Sequence, residues 1–197
     1  DFVCPDITQS VRETGGGVIE VNAAPGIRMH QYPSEGEARD AGQAIVDGLM
    51  GASDGRIPVI ALTGTNGKSS TVDFLRQIWS SMGRKAASMG TLGAIGPSGV
   101  VDLGHTTPDP VAIHATLDKL AREGVTHAAM EASSHGLSQY RLHGVRLAAG
   151  AFTNLTQDHL DYHGTMDAYG AAKRALFDMP GLRAAVLNVD EPHGRTW

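Results

Sequence analysis

The stretch "PVIALTGTNGKSS", residues 58–70, decides the fold because it joins an apolar run to a glycine-rich loop and a helix start. Pro58 to Thr63 is a short apolar run of the kind that forms a buried strand. After the loop, apolar residues recur at helical spacing until Gly83, a residue typical of a helix C-terminus. The stretch therefore predicts a strand, a loop and a helix in succession.

The loop has the residues needed to hold a phosphate group. Backbone N–H groups at a helix N-terminus, together with the helix dipole, favour an anion. Gly64 and Gly67 allow close approach of the backbone, Lys68 supplies a positive charge, and the Ser69 hydroxyl can ligate Mg2+. Leu62 stands where the common nucleotide-binding loop has its first glycine. A glycine-rich turn with an incidental lysine is the alternative, but the combination favours nucleotide binding.

Composition excludes several classes of protein. The net charge is -5 and the basic residues are not clustered, which argues against a nucleic-acid partner. No apolar run approaches the ~18 residues that a membrane span requires. The single cysteine, Cys4, excludes an intramolecular disulfide framework and a cysteine zinc site. These features predict a cytoplasmic protein with neither a nucleic-acid nor a membrane partner.

Strands and helices alternate from residue 58 onward. Strands are predicted at 85–91, 125–131, 147–153 and 184–189, and helices at 109–123 and 166–177. This alternation predicts an α/β fold with a mostly parallel, doubly wound sheet. Ligands bind at the carboxyl ends of such strands, where Glu131 and Asn154 are found. A capped or salt-bridged glutamate is the alternative explanation of Glu131.

Five motifs occur in order and together resemble the central domain of the Mur ligase family. They are "GTNGKSS", "HTTPDP", "MEASSHGLSQYRLHGV", "FTNLTQDHLDYHGTMDAYGAAK" and "AVLNVDE". Within the family they are most similar to the tripeptide synthetases, which add the third peptide residue in peptidoglycan synthesis. Mur ligases carry a T-G-T-N-G-K-[ST] loop without the first glycine, so the resemblance accounts for Leu62.

The resemblance implies an ATP-dependent amide-bond ligase that acts through an acyl phosphate, with ATP and Mg2+ as cofactors. Its substrates would be a UDP-muramoyl peptide or another polypeptide carboxylate, and an amino acid. It implies a nucleotide site at Gly64, Thr65, Asn66, Gly67, Lys68, Ser69, Ser70 and Asn154. It implies Mg2+ ligands at Ser69, Glu131 and His159, with Lys68, Glu131, His159 and Lys173 as the catalytic set. The matching substrate-binding positions are Thr106, Thr107, Ser133, Gln139 and Arg141.

Lys173 falls in the apolar stripe of its predicted helix, with Met166, Tyr169 and Phe177. A lysine there can direct its amine outward to solvent, or it can be buried with a lowered pKa and react with carbon dioxide. The matching lysine of Mur ligases is carbamylated, so the resemblance implies that Lys173 is a Mg2+ ligand as its carbamate.

The N-terminal part is similar to a different family. "ETGGGVIEVNAAPGIRMH", residues 13–30, resembles the end of an ATP-grasp domain, and is most similar to that of cyanophycin synthetases, which build an aspartate and arginine polymer. A predicted strand at 18–22 would place Glu20 and Asn22 on one face as Mg2+ ligands. An edge strand with two outward polar side chains is the alternative.

The predicted domains are an ATP-grasp end at 1–38, a connecting helix and linker at 39–57, and an incomplete Mur ligase central domain at 58–197. The two halves indicate different products, so a natural fusion, a divergent polymer synthetase and a chimeric gene all fit the sequence. A non-catalytic nucleotide-binding scaffold is a third function. These residues alone are expected to be inactive, since Mur ligases use a further C-terminal domain.

Overall fold

The computed structural model describes residues 2–23, 26–50 and 56–197, with the backbone alone at 46, 47, 49 and 50. The chain divides into two compact units, Asp1–Asp54 and Gly55–Trp197. The predicted linker includes 51–55, which lie outside the described residues.

The first unit consists of short elements. Strand β1 pairs antiparallel with β2, and three helices accompany them. None of the unit's described residues is buried. The elements are β1 (Phe2–Val3), α1 (Val11–Thr14), β2 (Gly17–Val18), α2 (Arg28–Gln31) and α3 (Ala41–Met50).

The predicted strand at 18–22 is wrong beyond Val18. Strand β1 is only two residues long, so it offers pairing partners to Gly17 and Val18 alone. Glu20 and Asn22 are exposed and lie outside any strand. The alternation of a strand therefore does not place these two side chains on one face, and the proposed pair of Mg2+ ligands loses its structural basis.

The second unit is built on a seven-stranded sheet in the order β6-β5-β4-β7-β3-β8-β9. The five strands from β4 to β9 in this order run parallel, whereas β5 and β6 form an antiparallel edge. The predicted α/β fold with a mostly parallel sheet is confirmed. The strands are β3 (Val59–Thr63), β4 (Ala86–Gly90), β5 (Gly93–Gly96), β6 (Gly99–Val101), β7 (His127–Glu131), β8 (Leu147–Phe152) and β9 (Ala185–Leu187).

Three of this unit's helices begin at polar N-cap residues, which are Asp109, Ser133 and Thr165. The Asp109 side chain accepts a hydrogen bond from the Ala112 N–H, and Thr165 does the same for Ala168. Within the described parts of the chain, no helix is both long and apolar enough to cross a membrane. The helices are α4 (Lys68–Ser81), α5 (Pro110–Arg122), α6 (Ser134–Ser138), α7 (Leu160–His163), α8 (Met166–Arg174) and the 3-10 helix Pro192–Arg195.

Helix α8 and the β5–β6 hairpin differ from the sequence prediction. Helix α8 ends at Arg174 rather than at Phe177, because the N–H groups of Leu176 and Phe177 bond to carbonyls three residues back and tighten the last turn. The β5–β6 hairpin was not predicted, since its short strands contain three glycines at residues 93, 96 and 99 and give no clear alternation.

The core lies on both faces of the sheet because successive strand residues point to opposite sides. Ala61 and Met130 pack in a cluster with Ile113 of α5, while Leu62 packs in a second cluster with Val72 of α4. Helices therefore cover both faces, and the loop after β3 emerges at the centre of the sheet. This arrangement matches the predicted double winding.

Replacement of Leu62 tests the core. Leu62 is fully buried, so Leu62→Ala is expected to lower the free energy of unfolding by about 2–5 kcal/mol through lost burial and a residual cavity. Leu92→Ala is the matched control at a 59% exposed leucine, and is expected to change it by less than about 0.5 kcal/mol. Chemical denaturation measures both, and equal losses would contradict the assignment of Leu62 to the core.

Candidate active site

The candidate site lies at the carboxyl ends of four parallel strands. Strands β4, β7, β3 and β8 are adjacent in the sheet, so their ends meet at one edge. The segments that follow them carry the polar residues that the sequence singled out. The loop 64–67 leaves β3 at the centre of this edge and leads directly into α4.

The loop is held by the segment that follows β8. Asn154 forms two hydrogen bonds with the backbone of Asn66. Its side-chain oxygen accepts from the Asn66 N–H at 3.0 Å, and its side-chain nitrogen donates to the Asn66 carbonyl at 3.1 Å. The Thr153 hydroxyl donates to the same carbonyl at 2.7 Å. Both ends of the Asn154 amide are thus used in shaping the loop, and its contact with a nucleotide stays a prediction.

Gly64 is required where the loop touches Thr153. Its φ is +142°, and a Cβ added there would lie 2.0 Å from the Thr153 hydroxyl oxygen. Gly67 has φ 84° in the left-handed region and precedes Lys68, the first residue of α4. Ser69 and Ser70 occupy the first turn of this 14-residue helix, with Ser69 half-buried and Ser70 exposed.

Two lysines converge on one backbone carbonyl. The amine of Lys68 lies 3.0 Å from the Gly64 oxygen and 3.0 Å from the Thr65 oxygen, and the amine of Lys173 lies 2.8 Å from the Gly64 oxygen. Lys173 is 1% exposed. Burial, with the nearby charge of Lys68, lowers the pKa of Lys173 to about 7. Burial also lowers the pKa of Lys68, against the raising effect of Glu131 and Asp158.

Glu131 is a buried carboxylate, 2% exposed, at the end of β7. It accepts a hydrogen bond from the Thr91 N–H at 2.8 Å and lies 3.4 Å from the Thr91 hydroxyl. That hydroxyl is also 2.9 Å from the hydroxyl of Thr106. Gly90 leaves room for the carboxylate, since a Cβ there would lie 2.1 Å from its Oε1 atom. Thr91 therefore links Glu131 to the predicted substrate residue Thr106.

The remaining predicted substrate residues form a connected group. The Thr107 hydroxyl donates to the Glu131 carbonyl at 3.0 Å and accepts from the Ser133 N–H at 3.0 Å. Arg141 donates to the Thr107 carbonyl at 2.7 Å and to the Gln139 side chain. The Ser133 hydroxyl caps α6. In this group Thr107 is buried and fixes the backbone, while Arg141 and Gln139 form the outer side.

His159 lies on the α7 side of the site in an unusual backbone conformation. Its φ of 50° and ψ of 30° are left-handed, which is uncommon for a residue with a side chain. Its ring is 4.9 Å from that of His135 and 6.2 Å from that of Tyr169. The Nε2 atom is 3.5 Å from the Asp158 carboxylate. Among the described residues, no three His, Cys, Asp or Glu side chains are placed to hold a metal ion.

Sequence reasoning missed three residues of the site. Thr91 lies outside every motif, and Tyr169 lies within one but was assigned no role, because both roles depend on contacts with Glu131 and Lys173. The charge of Asp158 acts on both Lys68 and Lys173. Asp158 belongs to the "DHLDYH" cluster of charged and histidine residues at 158–163, and this cluster is a sequence signal that could have identified it.

Comparison with known proteins shows the family of this chain. The family model described as "Mur ligase middle domain" matches residues 62–197. The UDP-N-acetylmuramoyl-L-alanyl-D-glutamate--2,6-diaminopimelate ligase of Bradyrhizobium diazoefficiens is 54% identical over 134 residues, which cover 67% of this chain and 28% of that relative. A solved structure of a diaminopimelate ligase of the same description is similar with a TM-score of 0.66 and 40% identity, over 72% of this chain and 28% of that one.

A more distant structure shares the fold alone. Folylpolyglutamate synthase of Mycobacterium tuberculosis, solved with ADP, has a TM-score of 0.56 at 15% identity, over 78% of this chain and 42% of that one. The matched family model covers more than half of the residues, and the chain belongs to the Mur ligase family. It spans about 28% of the length of the diaminopimelate ligases that it matches.

Replacement of Gly90 tests the close fit around Glu131. Gly90→Ala is expected to cost about 1–3 kcal/mol of unfolding free energy, because the new methyl group forces the carboxylate aside. In a Glu131→Ala background the same change is expected to cost less than half as much, since the obstructing side chain is gone. Denaturation of the four proteins measures this coupling, and an equal cost in both backgrounds would disprove it.

Burial of Lys173 also predicts a pH dependence of stability. The folded-state pKa of Lys173 is about 7, below the ordinary lysine value of 10.5. Between these values the unfolded chain binds a proton that the folded chain does not, so stability rises with pH in this window. Relative to Lys173→Met, the wild type is expected to gain up to about 1.4 kcal/mol per pH unit. Denaturation from pH 7 to 10, in buffer purged of carbon dioxide, measures the gain, and a difference that does not vary with pH would refute it.

Proposed function

We propose that the whole protein is an ATP-dependent ligase that adds diaminopimelate to a UDP-N-acetylmuramoyl dipeptide in cytoplasmic peptidoglycan synthesis. The observation that carries the proposal is the convergence of Lys68 and the buried Lys173 on the Gly64 carbonyl, near Glu131. The name of the 54% identical Bradyrhizobium relative supports the choice of substrate and amino acid.

The loop 64–67 is the proposed nucleotide site. Its backbone leads into the N-terminus of a 14-residue helix, where N–H groups and the helix dipole favour phosphate. Lys68 is held by two carbonyl oxygens within the loop. It can exchange them for phosphate oxygens and neutralise the negative charge that develops during phosphoryl transfer.

In the proposed reaction the terminal phosphoryl group moves to the substrate carboxylate, and ADP leaves. The amine of the amino acid then attacks the acyl phosphate, forms the amide bond and releases phosphate. Arg141 can pair its guanidinium with a carboxylate or phosphate of the muramoyl peptide. Thr107, anchored to the end of β7, fixes Arg141 beside Gln139 for this task.

Three of the proposed Mg2+ ligands, Ser69, Glu131 and carbamylated Lys173, would supply the oxygen atoms that Mg2+ prefers. His159 would supply a ring nitrogen as the fourth, and the ion would supply positive charge beside the phosphate oxygens. Glu131 is held in place by Thr91. The lowered pKa of Lys173 leaves much of its amine neutral near pH 7, as carbamate formation requires.

The first unit has no part in this proposal. Its resemblance to an ATP-grasp end motivates the alternative of a ligase that builds an aspartate and arginine polymer. Glu20 and Asn22 stand outside a strand, which removes the strand-based argument for a second Mg2+ site. The scaffold alternative is opposed by the buried Lys173, because a site without turnover gains nothing from a lysine whose burial is costly.

An acceptor-dependent assay of the whole protein tests the proposal. With ATP and Mg2+, phosphate release is expected when a UDP-muramoyl dipeptide and diaminopimelate are supplied together. Lysine in place of diaminopimelate, or an aspartate polymer with arginine, is expected to give little release. Lys173→Ala is expected to lower the rate about 100-fold or more, and short-chain carboxylates are expected to restore part of it.

Each other outcome selects a different function. Phosphate release only with the aspartate polymer would replace the muramoyl ligase by the polymer synthetase. Nucleotide binding without turnover on any acceptor would favour the scaffold. Near-normal activity of Lys173→Ala without additive would remove Lys173 from the mechanism.

A further inference from the structure

Tyr169 occupies the position in α8 where the loop, the helix and the core meet. It is 1% exposed, and it packs in a core cluster with Phe152 and Leu155. Neither the proposed nucleotide site nor the proposed metal ligands give it a role. A buried tyrosine needs a partner for its hydroxyl, and the choice of partner here is informative.

The hydroxyl of Tyr169 is 3.3 Å from the Thr65 hydroxyl. Thr65 already donates its one hydroxyl hydrogen to the Thr156 carbonyl at 3.0 Å, and it accepts from the Thr156 N–H at 3.0 Å. Its oxygen has one lone pair left, so Tyr169 must be the donor. The phenol therefore stabilises the one arrangement in which Thr65 bridges the loop to the segment after β8.

The ring of Tyr169 faces Lys173. The two residues are one helical turn apart, and the Lys173 amine lies over the ring, 4.3 Å from its centroid. The same amine donates to the Gly64 carbonyl. The protonated amine is attracted to the aromatic face, and the neutral amine can still direct an N–H group at it. Lys173 is therefore in contact with both the ring and the loop.

We propose that Tyr169 is a positioning residue that holds the loop through its hydroxyl and the Lys173 amine through its ring, and so couples the two. The inference rests on the proposed function for its catalytic meaning, but the two contacts can be tested without any turnover. Displacement of the loop would move both Thr65 and the Gly64 carbonyl, so the position of Lys173 depends on the state of the loop.

Two substitutions separate the contacts. Tyr169→Phe removes the hydroxyl and keeps the ring, whereas Tyr169→Leu removes both. One readout is the rate at which an amine-acylating reagent modifies Lys173 in buffer purged of carbon dioxide, followed by mass spectrometry. The other is amide hydrogen exchange of Thr65 and Thr156. The Thr65 N–H donates to the Asn154 carbonyl, and the Thr156 N–H donates to the Thr65 hydroxyl.

Tyr169→Phe is expected to raise exchange at these amides about 3- to 10-fold, the effect of one lost hydrogen bond. It is expected to leave Lys173 acylation within about twofold of the wild type, since the ring remains over the amine. Tyr169→Leu is expected to raise the exchange similarly and to raise acylation about 10-fold or more.

Phe152→Leu is the matched control, because it removes a buried ring from the same core cluster and leaves the ring that the Lys173 amine contacts in place. It is expected to change neither readout more than about twofold. The proposal is overturned if Phe152→Leu raises both readouts as much as Tyr169→Leu does. It is also overturned if Tyr169→Leu leaves Lys173 acylation unchanged, or if Tyr169→Phe leaves the loop amides unchanged.

Ligation assays of the whole protein distinguish this inference from the proposed function. Absence of ligation by the wild type would remove the function and leave the acylation and exchange results standing. With an active wild type, Tyr169→Leu is expected to lower kcat at least as much as it raises KM for ATP, and Tyr169→Phe is expected to keep most of kcat. Equal losses in both variants would contradict a role for the ring.

Discussion

The parallel pairing of β3 with β7 and β8 is the constraint on which the site depends. It brings the end of β3 between the ends of its two neighbours, so that the loop 64–67 can reach the segment after β8. Asn154 and Thr153 then fix the backbone of Asn66, and Gly64 allows the close approach. The loop owes its shape to these long-range hydrogen bonds as well as to its glycines.

The same strand pairing is accompanied by an unfavourable electrostatic contact between two lysine amines. Lys68 and Lys173 share the Gly64 carbonyl, so two amines lie close together in a poorly solvated place. Desolvation and mutual repulsion favour loss of a proton, and Lys173, the more buried of the two, has its pKa lowered to about 7. Asp158 and Glu131 keep the local charge from being wholly positive. In the proposed function, a nucleotide phosphate would offset the remaining positive charge.

Two glycines allow close packing around Glu131 and Thr107. Gly90 makes room for Glu131, and Gly136 makes room for Thr107, where a Cβ would lie 2.5 Å from the threonine methyl group. Thr91 and Thr107 then use their hydrogen bonds to hold the carboxylate and the backbone of β7. The predicted substrate residues thus divide into an inner part that fixes the backbone and an outer part, Gln139 and Arg141, that can meet a ligand.

The sequence alone determined the elements whose causes are local. The strand, loop and helix at 58–81, the helix predicted at 109–123 and the alternation of α and β follow from apolar periodicity, glycines and capping residues. The prediction of a strand at 18–22 was wrong because the length of this strand depends on a partner strand of only two residues. The β5–β6 edge was missed because pairing, rather than pattern, stabilises it. Tertiary structure alone decided that Lys173 shares the Gly64 carbonyl with Lys68. The Lys173–Gly64 contact joins residues about a hundred positions apart, and no local pattern records that they will meet.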